Sequence, residues 1–290
     1  MHRLKMIPPC KADKLNLLDF KLDNKYRIEE LHDGTMINLF YHNNEWLMST
    51  RSDIGCKNRW NNKKSFKCMF DECIQLDYNT LNKNYCYSFV MKHKDNRNIS
   101  IIETNCVILV EVYDMTTLQP MKIPNMIPNI KTTDLNDTIN KLNVEYFNTF
   151  SWKGITIKQN GKRYNYINEL YSQVESLSIN TNNPLYNYVS LYKQSKIKDY
   201  LRFYPEYTEL YKKYETGINK LIIDLHDQYK SIYIYKTIDH SNCVFQLKPL
   251  IRQVHKLYKT SGVNTTKNRI TNFIFNLPQE QLVFVLKYYL

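Results

Sequence analysis

Four basic residues near the end of the chain have the spacing that a phosphate-binding surface needs. They recur at i, i+4, i+8 and i+11, so a helix would carry them all on one face. These residues are Lys248, Arg252, Lys256 and Lys259, with His255 at the edge of the face. No Asp or Glu occurs between Asp239 and Glu280 to neutralise them in sequence. Such a row can bind successive phosphates of a nucleic acid in a salt-dependent way, and the alternative is a solvated helix face.

A second candidate set mixes cations with an aromatic ring. Arg51, Arg59, Trp60, Lys63 and Lys64 lie within one short segment. The indole ring could stack a base while the neighbouring cations hold its phosphates. The alternative is a surface loop whose Trp60 is anchored in the core.

The clearest local pattern is a β-hairpin within residues 31–51. Two apolar runs, 35–41 and 45–50, flank a short polar segment that contains Asn43 and Asn44. Asparagine tolerates the positive φ of a tight turn, so the pattern predicts two paired strands. Trp46 is expected to be largely buried against the opposite strand.

The period of the apolar residues changes along the chain. Before residue 180 the pattern predicts mainly strands, at 84–93, 105–113, 152–158 and 162–167, with helices at 65–74 and 135–142. The pair Asn160-Gly161 is a strong hairpin turn between the last two strands. After Pro184 the period becomes helical, and the tyrosines of residues 186–214 are interpreted as core.

Helices in the C-terminal part are predicted around residues 211–229, 250–258, 270–277 and 282–289, and Gly262 is expected to end the second of them. The apolar residues of that second helix, Leu250, Ile251, Val254, Leu257 and Tyr258, are expected opposite its basic face. The fold class predicted is α+β, with an antiparallel domain at residues 1–180 and an all-helical domain at residues 181–290.

Composition narrows the function classes. The 290 residues are 43% apolar and carry a net charge of +12, and residues 178–290 hold 16 Lys or Arg against 8 Asp or Glu. A basic C-terminal part favours a polyanionic partner, most often nucleic acid. The six glycines form no phosphate-binding glycine motif. No apolar run is long enough to span a bilayer, and the first residues lack a secretory signal, so no membrane partner is expected.

Cysteine and histidine usage predicts no metal site. The seven cysteines form no CxxC pair, which favours reduced structural thiols in an intracellular protein. His32, His42 and His93 have no ligand partners at metal spacing.

Five segments occur in an order that resembles a known family. Leu31-His32-Asp33-Gly34 is similar to a KxDG motif, and Lys153–Ile157 is similar to an EGxV strand. Three further segments match in the same order: Tyr87–Asn98, Arg163–Tyr171 and Tyr186–Tyr207. Together they resemble the covalent nucleotidyltransferases of the phage-type RNA ligase family and their relatives in large DNA viruses. The resemblance implies an antiparallel nucleotidyltransferase domain.

The residues that the family uses for chemistry are replaced in this chain. By the resemblance, Leu31 stands in place of the lysine nucleophile, and Val90 in place of a ribose-binding Glu. Lys153 replaces a Glu that helps to hold the metal, and the two phosphate-contacting lysines are replaced by Asn165 and Ile167. The matching positions are those that the resemblance assigns to turns, packing or phosphate contact: Asp33, Gly34, Arg51, Phe89, Asn96, Arg97 and Gly154. Five of these, Asp33, Gly34, Arg51, Phe89 and Gly154, are the predicted remnant of a nucleotide pocket.

The leading interpretation is a non-catalytic RNA-ligase-like protein without a cofactor. It would bind RNA, another nucleic acid or a partner protein, in the cytoplasm, a viral factory or a virion. A second hypothesis is an active RNA ligase that uses ATP and Mg²⁺ with a displaced lysine, for which Lys25, Lys57 and Lys92 are candidates. A third is a structural component of a viral assembly. The substrate, the partner and the oligomeric state stay open.

Overall fold

A computed structural model gives the architecture of residues 6–14, 27–59, 64–74, 76–121, 131–132, 149–159, 162–177, 179 and 181–290. Lys25, Trp60, Lys63, the Asn160-Gly161 turn and the helix predicted at 135–142 lie outside these ranges. The chain divides into two compact units, Met1–Glu175 and Ser176–Leu290.

The first unit contains two β-sheets. The smaller sheet is built from β1 (Asp13–Lys14), β2 (Arg27–Glu30), β9 (Gly154–Gln159) and β10 (Lys162–Ile167), in the order β1-β10-β9-β2. The larger sheet contains β3 (Thr35–His42), β4 (Glu45–Ser49), β5 (Tyr85–Lys92), β6 (Cys106–Asp114), β7 (Gln119–Pro120) and β8 (Lys131–Thr132). Its order is β4-β3-β5-β6-β7, and β8 pairs with β6. The pairings are antiparallel except β1 with β10 and β8 with β6.

The hairpin predicted at residues 31–51 is confirmed by β3 and β4. Asn43 and Asn44 have φ values of 48° and 66°, the backbone of a two-residue turn that matches the twist of paired strands. Tyr41 therefore lies opposite Trp46, and their ring centroids are 5.4 Å apart with an edge-on geometry. Trp46 packs against the core but is only partly buried.

Helix α1 (Phe66–Cys73) covers one face of the larger sheet. The Ser65 hydroxyl accepts a hydrogen bond from the Cys68 N–H and caps the helix, which buries Met69 and Phe70. The Phe70 ring packs on Phe89 with centroids 5.6 Å apart. The opposite face of the sheet carries polar side chains among apolar ones, and it faces the smaller sheet. Helix α2 (Glu169–Glu175) follows β10.

The second unit is helical. Its helices are α3 (Pro184–Lys193), α4 (Ile197–Phe203), α5 (Thr208–Tyr233), α6 (Lys248–Ser261), α7 (Lys267–Asn276) and α8 (Gln279–Leu286). Gly262 has a φ of 66° and ends α6, as the sequence predicted.

Tyrosines form much of the core of the second unit. Tyr188 lies edge-on to Tyr211, and Tyr200 stacks on Tyr204 with ring centroids 4.4 Å apart. The Tyr211 hydroxyl accepts a hydrogen bond from the Asn187 amide at 3.0 Å, so this buried phenol keeps a polar partner. The interpretation as core is confirmed for five tyrosines, Tyr188, Tyr200, Tyr204, Tyr211 and Tyr214. Tyr186, Tyr192 and Tyr207 are only partly buried.

The α+β class predicted from the sequence is confirmed, with mainly antiparallel sheets followed by a helical region. The domain boundary at residue 180 stays a prediction. No helix within the described ranges is both long and apolar enough to cross a bilayer.

Candidate functional site

The segment Leu31–Gly34 connects β2 to β3, and the backbone approaches neighbouring strands closely at Gly34 and at Gly154, which contacts this segment. The Leu31 N–H donates a hydrogen bond to the Gly154 carbonyl at 2.8 Å. Gly34 and Gly154 have φ values of 152° and 147°. A Cβ atom on Gly34 would clash with the Met91 carbonyl, and one on Gly154 with the Tyr166 carbonyl. Both positions therefore require glycine for steric reasons.

Asp33 is a buried internal anchor. Its carboxylate accepts hydrogen bonds from the backbone N–H groups of Ile99 and Ser100, at 3.0 and 2.9 Å, and from the Tyr171 hydroxyl at 2.9 Å. The Asn98 amide donates a fourth at 3.3 Å. Burial alone would raise the pKa of Asp33, but the Ser100 and Ile99 N–H groups hold it below its usual value. Asp33 thus fixes the start of β3 against a distant loop and α2.

The structure brings several predicted site residues together here. Lys153 precedes Gly154, and its ammonium lies 5.4 Å from the centroid of the Tyr171 ring, beside the anchor made by Asp33. The Val90 side chain lies next to the backbone of Gly34 and packs against Ile108 and Val110 of β6. The two remaining replaced positions are on β10, where Asn165 accepts a hydrogen bond from Thr156 and Ile167 pairs with Gly154.

Other predicted pocket residues lie elsewhere. Phe89 is fully buried in the core under α1, in a different hydrophobic cluster from its neighbour Val90. Arg51 and Arg59 are exposed in the segment after β4. Asn96 is buried, and its amide donates a hydrogen bond to the Thr35 hydroxyl at 2.8 Å.

A group of charged side chains, the interlayer ion cluster, lies between the two sheets. Its members are Arg27, Glu29, Glu111, Lys158 and Arg163. The Lys158 ammonium lies 2.9 Å from Glu29 and 3.4 Å from Glu111, and it donates a hydrogen bond to the Val110 carbonyl at 3.0 Å. Arg163 pairs with Glu111 at 3.0 Å and Arg27 with Glu29 at 3.0 Å. Three cations and two carboxylates therefore link β2, β9 and β10 to β6.

This cluster determines what the space between the sheets can do chemically. Glu29 and Glu111 are almost completely buried, and buried charges persist only when they are paired. Three acceptors surround the Lys158 ammonium, so this amine is already engaged by protein groups and is not free to attack an electrophile. Sequence reasoning missed the cluster. Its available signal was Glu111, an acidic residue in the middle of the otherwise apolar run of β6.

A second polar cluster contains Lys64, Glu72, His93 and Asp95. The prediction that His93 lacks ligand partners is wrong, because Glu72, His93 and Asp95 place one ligand atom each within 4.8 Å of one another. The Lys64 ammonium already lies between the two carboxylates, 2.8 Å from Glu72 and 3.0 Å from Asp95. Hydrogen bonds from Lys64 and His93 hold the pKa of Glu72 at about 2. A metal ion would have to displace this ammonium.

Helix α6 presents the predicted basic face to solvent. Arg252, Lys256 and Lys259 are exposed, and no salt bridge among the described residues involves any of them. Lys248 is half-buried, and its ammonium donates a hydrogen bond to the Ser241 carbonyl at 2.6 Å. The exposed part of the basic face therefore consists of three cations.

The apolar side of α6 is shorter than predicted. Leu250, Ile251 and Val254 are buried. Leu257 and Tyr258, which the sequence placed with them, are 52% and 38% exposed. Residues 256–261 at the end of α6 are all exposed, so the side chains of this turn remain accessible to solvent.

Comparison with known proteins gives remote structural similarity only. No known family model matches the chain, and no curated protein sequence matches it. Two structures of an archaeal ATP-dependent RNA ligase, forms 1 and 2, are each 12% identical with a TM-score of 0.45. The match to form 1 covers 69% of this chain and 56% of the ligase chain, and the match to form 2 covers 64% and 52%, respectively.

An apo mutant of an RNA ligase from Naegleria gruberi is 13% identical over 51% of this chain and 50% of its own, with a TM-score of 0.36. This chain thus spans about half the length of these three ligase chains. Similarity this remote assigns no role to any residue.

Proposed function

We propose that this chain is an RNA-ligase-like protein that does not transfer adenylate and that binds nucleic acid through α6. The observation that supports the absence of adenylate transfer is the position of Lys158. This amine lies between the two sheets, and Glu29, Glu111 and the Val110 carbonyl surround it. An attacking amine needs a free lone pair, and Leu31, at the position of the family nucleophile, has no nitrogen in its side chain.

The surroundings of Asp33 support the same proposal. The Asp33 carboxylate is occupied by four protein donors, and Lys153 supplies a positive charge beside it. Mg²⁺ binds through carboxylate and other oxygen ligands, and a neighbouring ammonium repels it. The proposal therefore includes neither ATP nor Mg²⁺ as a cofactor.

An adenylylation assay tests this half of the proposal. The protein is incubated with ATP labelled at the α-phosphate, in the presence of Mg²⁺ or Mn²⁺, and then denatured in detergent at alkaline pH, which leaves the phosphoramidate bond of a lysyl adenylate intact. We expect no labelled protein band with the wild type. A band that disappears in Lys158→Met or in Lys153→Met would overturn the proposal and identify the nucleophile.

The second candidate is an active ATP-dependent RNA ligase with a displaced lysine. The observation that favours it is Lys153, whose ammonium lies close to Asp33 and the Tyr171 ring, at the start of β3. Of the lysines suggested by sequence, Lys57 is exposed, Lys92 is half-buried, and Lys25 lies outside the described residues. The same assay separates the two functions.

The nucleic-acid half of the proposal rests on the exposed cations of α6. A row of cations without paired carboxylates can neutralise phosphates, and each contact contributes to the salt dependence of binding. Replacing Arg252 and Lys256 with Gln should lower the slope of log K against log salt by about 1.4–1.8, at about 0.7–0.9 per phosphate contact. Buried Leu250 and Ile251 on the other side keep the helix packed in this variant.

A matched control removes the same charge from α5. Lys213→Gln combined with Lys220→Gln takes two exposed cations away from a helix outside the basic face. The slope should stay at the wild-type value in this control. Equal slopes in wild type and in the α6 variant, or no RNA binding at low salt, would reject nucleic-acid binding by α6 and leave a partner protein or a structural role in a viral assembly.

An intracellular location belongs to the same proposal. All seven cysteines are free, as expected in a reducing compartment.

A further inference from the structure

Four rings form a ladder where the end of α5 packs on α6. Tyr233 stacks on His255 with centroids 3.7 Å apart and planes only 4° from parallel. Tyr258 continues the ladder beyond His255 at 6.0 Å and 22°. The Tyr229 ring lies beside both Tyr233 and His255, with centroid distances of 5.1 and 6.1 Å, and is tilted by 45° and 48° to them. The Tyr229 hydroxyl lies 3.4 Å from Nδ1 of His255. We call these four residues the ring ladder.

The ring ladder is buried at Tyr229 and exposed at Tyr258. Tyr229 is buried in the core of the helical unit, whereas Tyr258 is 38% exposed. Tyr229 and its contact with His255 hold the ladder in place from the inside. A ring that is fixed and open on one side can receive another ring without losing much conformational entropy.

Cations of the basic face border the ladder. Lys259 follows Tyr258 in the chain, and burial together with the Lys259 charge lowers the pKa of His255. Burial raises the pKa of Tyr233, and the Arg252 charge opposes this rise. No described carboxylate forms a salt bridge with Arg252, Lys256 or Lys259. The surface therefore presents flat rings directly beside unpaired positive charge.

We infer that the ring ladder is a stacking platform for an unpaired base of single-stranded nucleic acid, whose phosphates lie on Arg252, Lys256 and Lys259. This inference rests on the proposed nucleic-acid binding by α6 and adds the class of strand. Tyr258 is the exposed ring of the ladder and lies within 22° of parallel to His255, so a base stacked on Tyr258 extends an existing row of rings. Bases inside a duplex are already stacked on both faces and cannot do this, whereas every unpaired base has a free face.

The test compares two tyrosine variants by fluorescence anisotropy with a labelled single-stranded oligouridine. Tyr258→Leu removes the open ring and keeps an apolar side chain. Tyr288→Leu is the matched control, because Tyr288 is 54% exposed, contacts Phe284 and lies outside the ladder. A labelled abasic strand of the same length serves as a second probe, since it keeps the phosphates and lacks the bases.

Tyr258→Leu should weaken oligouridine binding about 5- to 140-fold, because stacking one base is worth about 1–3 kcal/mol and 1.4 kcal/mol is tenfold. Its salt slope should stay at the wild-type value, and Tyr288→Leu should bind like wild type. The abasic strand should bind the wild type as weakly as oligouridine binds Tyr258→Leu.

Two results overturn the inference in different ways. The stacking platform is rejected if the wild type binds both probes equally, or if Tyr258→Leu binds oligouridine as tightly as the wild type does. Provided that this binding still depends on salt, either result leaves nucleic-acid binding by α6 intact. No binding of either probe at low salt rejects the platform together with the proposed function.

Discussion

Removing one carboxylate from the interlayer ion cluster should destabilise the first unit. Glu111→Gln keeps the size of the side chain and removes its charge, so that Glu29 is the remaining carboxylate of the cluster beside Arg27, Lys158 and Arg163. Glu111 is 6% exposed, and its partners Lys158 and Arg163 are 16% and 12% exposed. Breaking a buried ion pair costs about 3–5 kcal/mol. Because Lys158 keeps Glu29 and some contact with water, we expect a loss of about 3 kcal/mol, at the lower end of that range.

Tryptophan fluorescence during urea unfolding measures this loss in the relevant unit. All three tryptophans, Trp46, Trp60 and Trp152, belong to the first 175 residues. The fluorescence signal therefore follows the first unit, and the helical unit can be followed separately by circular dichroism. This separation matters because a two-unit chain need not unfold in a single transition.

An exposed ion pair of the same unit provides the control. Lys67 and Asp71 lie 2.8 Å apart with 52% and 47% of their side chains exposed. Asp71→Asn should cost no more than about 1 kcal/mol. If Glu111→Gln costs no more than Asp71→Asn, the cluster is not buried and paired as described. Combining Glu111→Gln with Arg163→Gln should cost less than the sum of the two single changes, since the residues share one contact.

Three further changes test the anchor, the close backbone approaches and the hairpin. Asp33→Asn should lower the free energy of unfolding at neutral pH and make it depend less on pH in the acidic range. The reason is that the pKa of Asp33 is lower in the folded state than in the unfolded state. Such a carboxylate stabilises the fold above its unfolded pKa, and this stabilisation is lost as the pH falls through its folded pKa. Urea midpoints between neutral and acidic pH measure this, and an unchanged slope would contradict it. Gly154→Ala should destabilise far more than Gly262→Ala in thermal melts, because a Cβ on Gly154 meets the Tyr166 carbonyl while one on Gly262 has nothing within 4 Å. The Gly262 change should cost only the left-handed strain of about 1–2 kcal/mol, and equal costs would argue against the close approach. Trp46→Ala should destabilise the first unit by an intermediate amount, because Trp46 is only partly buried. The loss should exceed the cost of a surface change, about 0.5 kcal/mol, and stay below that of a fully buried aromatic, about 3–5 kcal/mol. Urea unfolding followed by circular dichroism measures it, and a value outside this interval would contradict the partial burial of Trp46.

Features determined by neighbouring residues could be predicted from the sequence. The turn at Asn43 and Asn44 needs only residues that tolerate positive φ between two apolar runs. The end of α6 at Gly262 needs only a residue without a Cβ after a periodic segment. Both are local preferences that the rest of the fold does not oppose.

Features that depend on strand pairing could not be predicted in the same way. Asp33 and Tyr171 are 138 residues apart, and their hydrogen bond exists only because β10 and α2 return to the start of β3. The interlayer ion cluster needs the relative position of two sheets, which no spacing in the sequence encodes. His93 and Glu72 are 21 residues apart, and their hydrogen bond exists only because α1 packs on the larger sheet. In each case tertiary contacts decided the outcome.

The tyrosine core of the helical unit sets an upper limit on the pH at which it can stay folded. Burial raises the pKa of Tyr188, Tyr200 and Tyr211 above the ordinary phenol value. The stabilisation from these neutral phenols is complete below the unfolded pKa of about 10 and is lost as the pH rises through the folded values. An all-aliphatic core of the same size would carry no such dependence. The helical unit is therefore built from side chains that make it sensitive to alkali, and its buried phenols should ionise together when it unfolds in base.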